Sequence, residues 1–505
     1  MLVKNSPSRS GANSTVWIRM GVLTGEDDSS LFVAGDGFPL VPVTSLKIRQ
    51  MLACTTRKPK ELLGKCPPSY NEVTVEKVAA VAVLAGCKPE YVNVVLSAVE
   101  CMLEKDYNLH GVHATTMGAT PCIIVNGPVR NECSLNCHTG ALGSGSRANA
   151  CIGRTVKLVL KVIGKAELGG TESTTLGTPM KYTFCVSENE HLLNEINNEY
   201  GDKMDWKPLQ NRSSVTMVTV TSGPHQVTDF LERSADGVVD LLARSMVTSY
   251  NWYAPFINEC ILFLSPEHIR TLSAGGVRSK EDLANRLWRR CNILFVSAYA
   301  AIIRTQLPNL PILAFFIGNF LRLIGSLANL LGFGGLGKVL PKFNSPRSLY
   351  IVVTGGEAGK FSSFCPGFGV GKPGMPTYGL SKGVTKPVQD SLTASQVLNR
   401  FEELKVEKFA PIIDEIYLGN TKKKESFPIS ARSGISDMKG TIGLVDISKP
   451  MGSIFLDRMQ ERFEKQFPML QVKRYCKETF SRPAKKSLVD KITSECDYVI
   501  QALAD

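Results

Sequence analysis

Apolar residues recur at helical spacing from Val73 to Leu103, and the run is interrupted only at Gly86, Cys87, Lys88 and Pro89. That pattern predicts two packed helices joined by a turn. Cys122 to Val125 is a short apolar run closed by Asn126, Gly127 and Pro128, which predicts a strand ending in a turn. The stretch Gly140 to Gly153 is rich in Gly, Ser and Asn and predicts a loop. It leads into Arg154 to Val162, whose pattern suits a helix or a buried strand, and a loop that opens a helix turns backbone N–H groups toward an anion. Ser213 to Ser222 alternates β-branched residues and predicts a half-buried strand, while Val227 to Thr248 has the three-and-four spacing of a helix. Ser348 to Thr354 predicts another strand, and Gly355 to Gly374 reads as loop. From Thr441 onward the pattern is the clearest in the chain: strand to Ile447, helix Ile454 to Gln466, strand Leu470 to Tyr475, helix Ser487 to Glu495, strand Tyr498 to Leu503. Such a βαβαβ unit implies parallel strands with right-handed crossovers, and open sheets of this kind place their sites beyond the carboxyl ends of the strands.

The predicted fold class is therefore α/β, with a large N-terminal α/β (or α+β) domain and a C-terminal Rossmann-like parallel-sheet domain. The expected division is a polar, Ser-rich tail over 1–30, the N-terminal domain over 31–300, an apolar amphipathic segment and linker over 301–345, and the C-terminal βαβαβ domain over 346–505. Within the third part, 308–336 is the one candidate for membrane contact. On a helix Asn319, Arg322, Ser326 and Asn329 form a polar stripe, and burying Arg322 in a bilayer costs roughly 2.5–3.5 kcal/mol. A buried or interface-lying amphipathic helix is thus favoured over a span.

The excess of 58 Lys and Arg over 46 Asp and Glu gives a net charge of +12, which favours encounters with anions. The basic runs at Lys422–Lys424 and around Lys473 to Lys486 are not interleaved with aromatic residues, so nucleic acid is not an expected partner. Fourteen cysteines are spread over the whole length without a CxxC pair, which suits a reducing compartment. No stretch of the first thirty residues has the apolar core of a secretion signal, and a cytoplasmic location is expected.

Several segments carry a resemblance. DGFPLVPVT (Asp36 to Thr44), TVEKVAAVAVLAGCKPEY (Thr74 to Tyr91), HGVHATT (His110 to Thr116), IVNGP (Ile124 to Pro128), RANACIGR (Arg147 to Arg154) and KYTFCVSENE (Lys181 to Glu190) are similar, in order, to blocks of the UGSC family of cysteine/selenocysteine redox proteins. So are GPH at Gly223 to His225, GGEAGK at Gly355 to Lys360, DISKPMG at Asp446 to Gly452, and the tail ECDYVIQALAD from Glu495 to Asp505. The resemblance thins between about Ala301 and Ser345. It implies a thiol- or selenol-dependent oxidoreductase whose U/C-Gly-Ser-Cys motif follows Asp505 directly, as in a selenoprotein whose UGA codon has been read as stop. It also implies a thiol reductant as partner and no bound cofactor.

The candidate catalytic residues are His113 and His225, as general acids or bases near neutral pH, and Cys365 as a partner thiol. Thr115, Thr116, Asn126, Arg154 and Lys360 are the candidate substrate-binding residues, Arg154 and Lys360 suiting a small anionic molecule. His113, Thr115, Thr116, Asn126, Arg154 and His225 each read equally as structural hydrogen-bonding groups, whereas Cys365 reads more readily as an ordinary loop or buried cysteine than as a partner thiol. Cys133, Cys137 and His138 are spaced too loosely for a zinc site, so no metal is expected. TGGEAGK (Thr354 to Lys360) lacks the spacing of a nucleotide-binding phosphate loop. The competing expectations are a non-redox lyase or hydrolase working through His113, His225 and Arg154, and a non-catalytic remnant or membrane-surface protein.

Overall fold

The structure, a computed structural model, describes residues 35–201, 203–251, 254–294, 311–330, 339–371, 380–404, 412, 440–447, 452–478 and 484–502. The tail expected over 1–30 and the glycine-rich linker expected at 332–337 lie outside these residues.

Two helices, α1 (Val75–Ala85) and α2 (Val92–Leu103), stand where the apolar spacing predicts them. α1 ends because Gly86 takes a left-handed conformation, φ 90°, and its N–H bonds back to Ala82 and Val83. A short helix α3 (Leu109–Ala114) leads to strand β1 (Thr120–Asn126), then helix α4 (Arg147–Val162) and strand β2 (Cys185–Ser187). They are followed by helix α5 (Glu190–Tyr200), strands β3 (Ser214–Val220) and β4 (His225–Thr228), helix α6 (Ala235–Met246) and strand β5 (Cys260–Leu264). Strands β6 (Leu349–Val353), β7 (Phe361–Pro366) and β8 (Val384–Pro387) complete the two large sheets.

The sheets run β8-β3-β1-β2 and β6-β5-β7-β4. In the first, β1 is parallel to β2 and antiparallel to β3; in the second, β5 is parallel to β6 and antiparallel to β7. Side-chain alternation along the strands then sorts the core into layers. Ile123, Val125, Val215 and Met217 face α1, α2 and α4. Their neighbours Cys122, Ile124, Val218 and Val220 face Ile261, Phe263, Val352 and Cys365 of the second sheet. Leu262, Leu264, Ile351 and Val353 turn the other way, toward α5, α6 and the helices α7 (Pro266–Ala274) and α8 (Lys280–Arg290). The body is a four-layer helix–sheet–sheet–helix sandwich.

This layering corrects several expectations. β3 is buried along its whole length rather than half-buried, because both faces of its sheet are covered. The helix expected from Val227 begins only at Ala235, where the Ser234 side chain accepts from Gly237 N at 3.1 Å, and β4 occupies the stretch before it. The presumed loop after Gly355 contains β7, which acquires its strand by pairing between β5 and β4. α4 starts at Arg147, capped by Ser146, so Arg154 lies in mid-helix and not at a loop edge. The boundary expected at 346 moves as well, since β6, β7 and β8 pair with strands of the preceding region.

The C-terminal unit is strand β9 (Gly440–Asp446), helix α9 (Gly452–Gln466), strand β10 (Leu470–Cys476), helix α10 (Lys486–Glu495) and strand β11 (Tyr498–Ala502). Its sheet, in the order β10-β9-β11, is parallel throughout. α9 packs Leu456 on the Ile442–Leu444 face, and α10 packs Ile492 on the opposite face at Val445 and Tyr475. The segment Pro311–Leu330 is a helix on which Phe320, Leu323 and Leu327 are exposed. Among the described residues no helix is long and apolar enough to cross a membrane.

Candidate functional site

A cavity of about 680 Å³ opens between α3, the start of β1, α4 and the segment from Ala166 to Tyr182. Its polar end is built around Glu172. His113 Nδ1 bonds Glu172 Oε2 at 2.8 Å, while Glu172 Oε1 accepts from Lys181 Nζ and Thr174 Oγ1, each at 2.7 Å. Burial alone raises the Glu172 carboxyl, but the bond from His113 and the charges of His113 and Lys181 outweigh it and hold the group well below its usual range. The residue His113 is 8% exposed, and its Nε2 is buried with no hydrogen-bond partner. Lys157, from α4, donates to Thr120 Oγ1 and to the Pro121 carbonyl at 3.3 Å. Burial, reinforced by the Lys181 charge, pushes its ammonium well below the usual value against the opposing pull of Glu172.

Local chemistry explains why these groups meet. The turn after α3 is closed by Thr115, whose hydroxyl accepts from Met117 N at 3.2 Å. Thr116 O then accepts from Thr175 N at 2.9 Å, which ties the Glu172 segment to that turn, and Thr174 Oγ1 lies 3.1 Å from Met117 O. Thr115 and Thr116 therefore hold His113 against Glu172. Arg154 serves the same wall from outside: it grips Asp36 through Nε (2.6 Å) and Nη2 (2.7 Å) and also reaches the Phe38 and Pro39 carbonyls. Its guanidinium is thus committed to the chain entering the domain.

The remaining candidates lie elsewhere. Asn126, at the end of β1, donates to Glu188 Oε2 (2.8 Å) and Glu190 Oε1 (3.2 Å) in a buried network that includes Arg130 and Lys280. Gly127 must be glycine there, because its φ is 82° and a Cβ would run into the backbone of Arg212 and Ser213. His225 is exposed on β4, 2.9 Å from Ser222 Oγ, and is not among the residues lining the cavity. Lys360 donates to the Glu232 carbonyl at 2.6 Å. Cys365 is wholly buried between the two sheets, where desolvation pushes its thiol far up, the opposite of what a partner thiol needs. Burial likewise pushes Cys66, Cys101, Cys133 and Cys291 up to about 12.

The C-terminal sheet offers a different setting. Asp446 closes β9 and lies in register with Cys476 on one side and Ala502 on the other. Gly452, the first residue of α9, sits so close to Asp446 that a Cβ on it would meet Oδ1 at 3.0 Å. The carboxyl ends of all three strands and the amino end of a helix therefore share one edge. Cys476 is the one exposed cysteine of the fourteen. Cys496 precedes β11 at the other end and packs against Tyr475, with its Sγ 3.3 Å from the hydroxyl.

Sequence reasoning missed Glu172, Lys157 and Lys181 as partners of His113. A usable signal was the pair Lys157 and Lys161, one turn apart on an otherwise apolar stretch of α4. Among the described residues no cluster of His, Cys, Asp and Glu has the makings of a metal site. Residues 411–505 match the model of the UGSC family, consistent with a UGSC-family protein. No curated protein and no solved structure matches the chain.

Proposed function

With its C-terminal unit, residues 411–505, matched to the UGSC family, we propose that the protein is a thiol- or selenol-dependent oxidoreductase whose reactive chalcogen stands just beyond β11. The observation that carries this reading is the shared edge: chain leaving Ala502 emerges beside Asp446 and the amino end of α9. Helix N-termini favour an anion by roughly 0.3–1 kcal/mol, so a thiolate or selenolate there is stabilised over its protonated form. In the reaction the anion attacks one sulfur of a disulfide, the S–S bond breaks, and the other sulfur leaves as a thiolate. A second thiol then displaces the mixed disulfide, and an external thiol reductant returns the pair to the reduced state. Cys476 is two strands from Ala502, roughly 9.6 Å at the usual spacing, close enough for a residue on the following loop to reach back to it.

The non-redox alternative retains only His113 of its three proposed residues at the cavity lining, because Arg154 is taken by Asp36 and His225 sits on another sheet. The redox reading is tested with the chain continued through Cys-Gly-Ser-Cys and stopped-flow reduction of a small aromatic disulfide. Fast release of thiol that disappears when the first added cysteine is replaced by serine supports it. Equal rates with and without that cysteine refute it.

A further inference from the structure

The cavity around His113 has a second half that the polar groups do not use. Val112, Leu158 and Leu160 line it, and Leu168 and Leu176 stand exposed (82% and 96%) where the Ala166–Tyr182 segment meets solvent. Two exposed leucines facing a concave apolar wall are an unfinished hydrophobic contact. At the inner end the amines also outnumber the carboxylates. Asp36 is paired with Arg154, and Glu172 with Lys181 and His113, which leaves Lys157 and Lys161 as the amines of the lining in no ion pair among the described residues. A volume of about 680 Å³ is in the range of ordinary small-ligand sites.

We propose that this cavity binds an aliphatic carboxylate of medium chain length, with the carboxylate at Lys157 and Lys161 and the chain along Leu168 and Leu176. The ligand supplies what the site lacks at both ends: an anion for the amines at one, apolar surface for the leucines at the other. The groups around the Lys157 amine are Lys161, Lys181, Glu172, His113 and Cys122. Because burial favours the neutral amine, an arriving carboxylate draws a proton onto it, and binding is accompanied by proton uptake. This site is separate from the edge beyond β11 and stands whether or not the redox reading does.

Isothermal titration of the full chain with sodium decanoate below its micelle concentration, run at one pH in two buffers of different ionisation heat, tests the proposal. The expected result is saturable binding with net proton uptake, roughly ten- to hundredfold weaker for decanol, which lacks the charge, and for acetate, which lacks the chain. Lys157→Met is expected to lose decanoate binding by a similar factor. Should that variant fail to fold, slowing by decanoate of reductive methylation at Lys157, mapped by mass spectrometry in the unaltered protein, takes its place. Equal affinity for decanol and decanoate, undiminished binding by a folded Lys157→Met, or methylation of Lys157 indifferent to decanoate overturns the assignment.

Discussion

Glu188 is the residue whose loss the body should feel most. Its side chain is wholly buried between the layers, where Oε1 accepts from Lys280 Nζ and from Val353 N at 3.0 Å. Oε2 accepts from Asn126 Nδ2 at 2.8 Å and Leu209 N at 2.7 Å. One carboxylate thus joins the ends of β1 and β6, one from each sheet, to the helix Lys280–Arg290. Replacing it with glutamine turns one oxygen into an N–H donor that faces two donors, and leaves the buried Lys280 ammonium without its counter-charge. Breaking a buried pair from one side costs about 3–5 kcal/mol, so Glu188→Gln should destabilise by about 4 kcal/mol. Lys280 is already pushed down by burial and held up by Glu188, so removing both charges in Glu188→Gln/Lys280→Met should recover roughly 2 kcal/mol. Urea unfolding followed by tryptophan fluorescence reads this directly, since Trp206 is buried in the same helix layer. A single variant within about 1 kcal/mol of the parent, or a double variant less stable than the single, would refute the reasoning.

Lys342 is fully buried, and burial pushes its ammonium down to about 8 from 10.5. The unfolded chain therefore binds the proton over a range where the folded one does not, so the contribution of Lys342 to stability rises as pH climbs from about 8 to 10.5, against the fall that the buried thiols impose there. Lys342→Met should add up to about 3 kcal/mol at pH 7 and much less at pH 10, the difference between parent and variant at the two pH values being read from urea midpoints. Native protein treated with a thiol reagent at neutral pH should modify Cys476 first, and Cys365, like Cys122 and Cys260, only after denaturation, when all fourteen react; peptide mapping of labelled samples checks the order. Glu172→Gln should loosen His113 and Lys181 together, moving the NMR chemical shifts of the His113 ring at fixed pH, whereas the same change at Glu167 should leave them in place.

The C-terminal unit was legible from periodicity because each of its elements buries a face within its own unit, so local pattern and final structure coincide. The same holds for α1 and α2, with Gly86 marking the break. β7 was illegible for the opposite reason: Phe361 to Pro366 alternates weakly and becomes a strand only because β5 and β4 lie on either side. The four-layer sandwich likewise depends on alternate residues of β1 and β5 meeting across sheets, a pairing that spacing along one strand does not announce. At the site, His113 stood out as a histidine among small residues, yet Glu172 lies in a polar loop whose approach rests on a bond between Thr175 and Thr116, far apart in sequence. Arg154 was conspicuous for its charge, and its partner Asp36 is 118 residues away.

The central claim is that a reactive chalcogen anion sits on the loop leaving β11. Alkylation of the protein purified from its own source with limiting iodoacetamide at about pH 6, below the usual thiol range, followed by mass spectrometry of the C-terminal peptide, tests it most directly. The account predicts a carbamidomethylated cysteine or selenocysteine in residues following Asp505. A source protein whose last residue is Asp505, or one whose continuation stays unlabelled while Cys476 reacts, contradicts it.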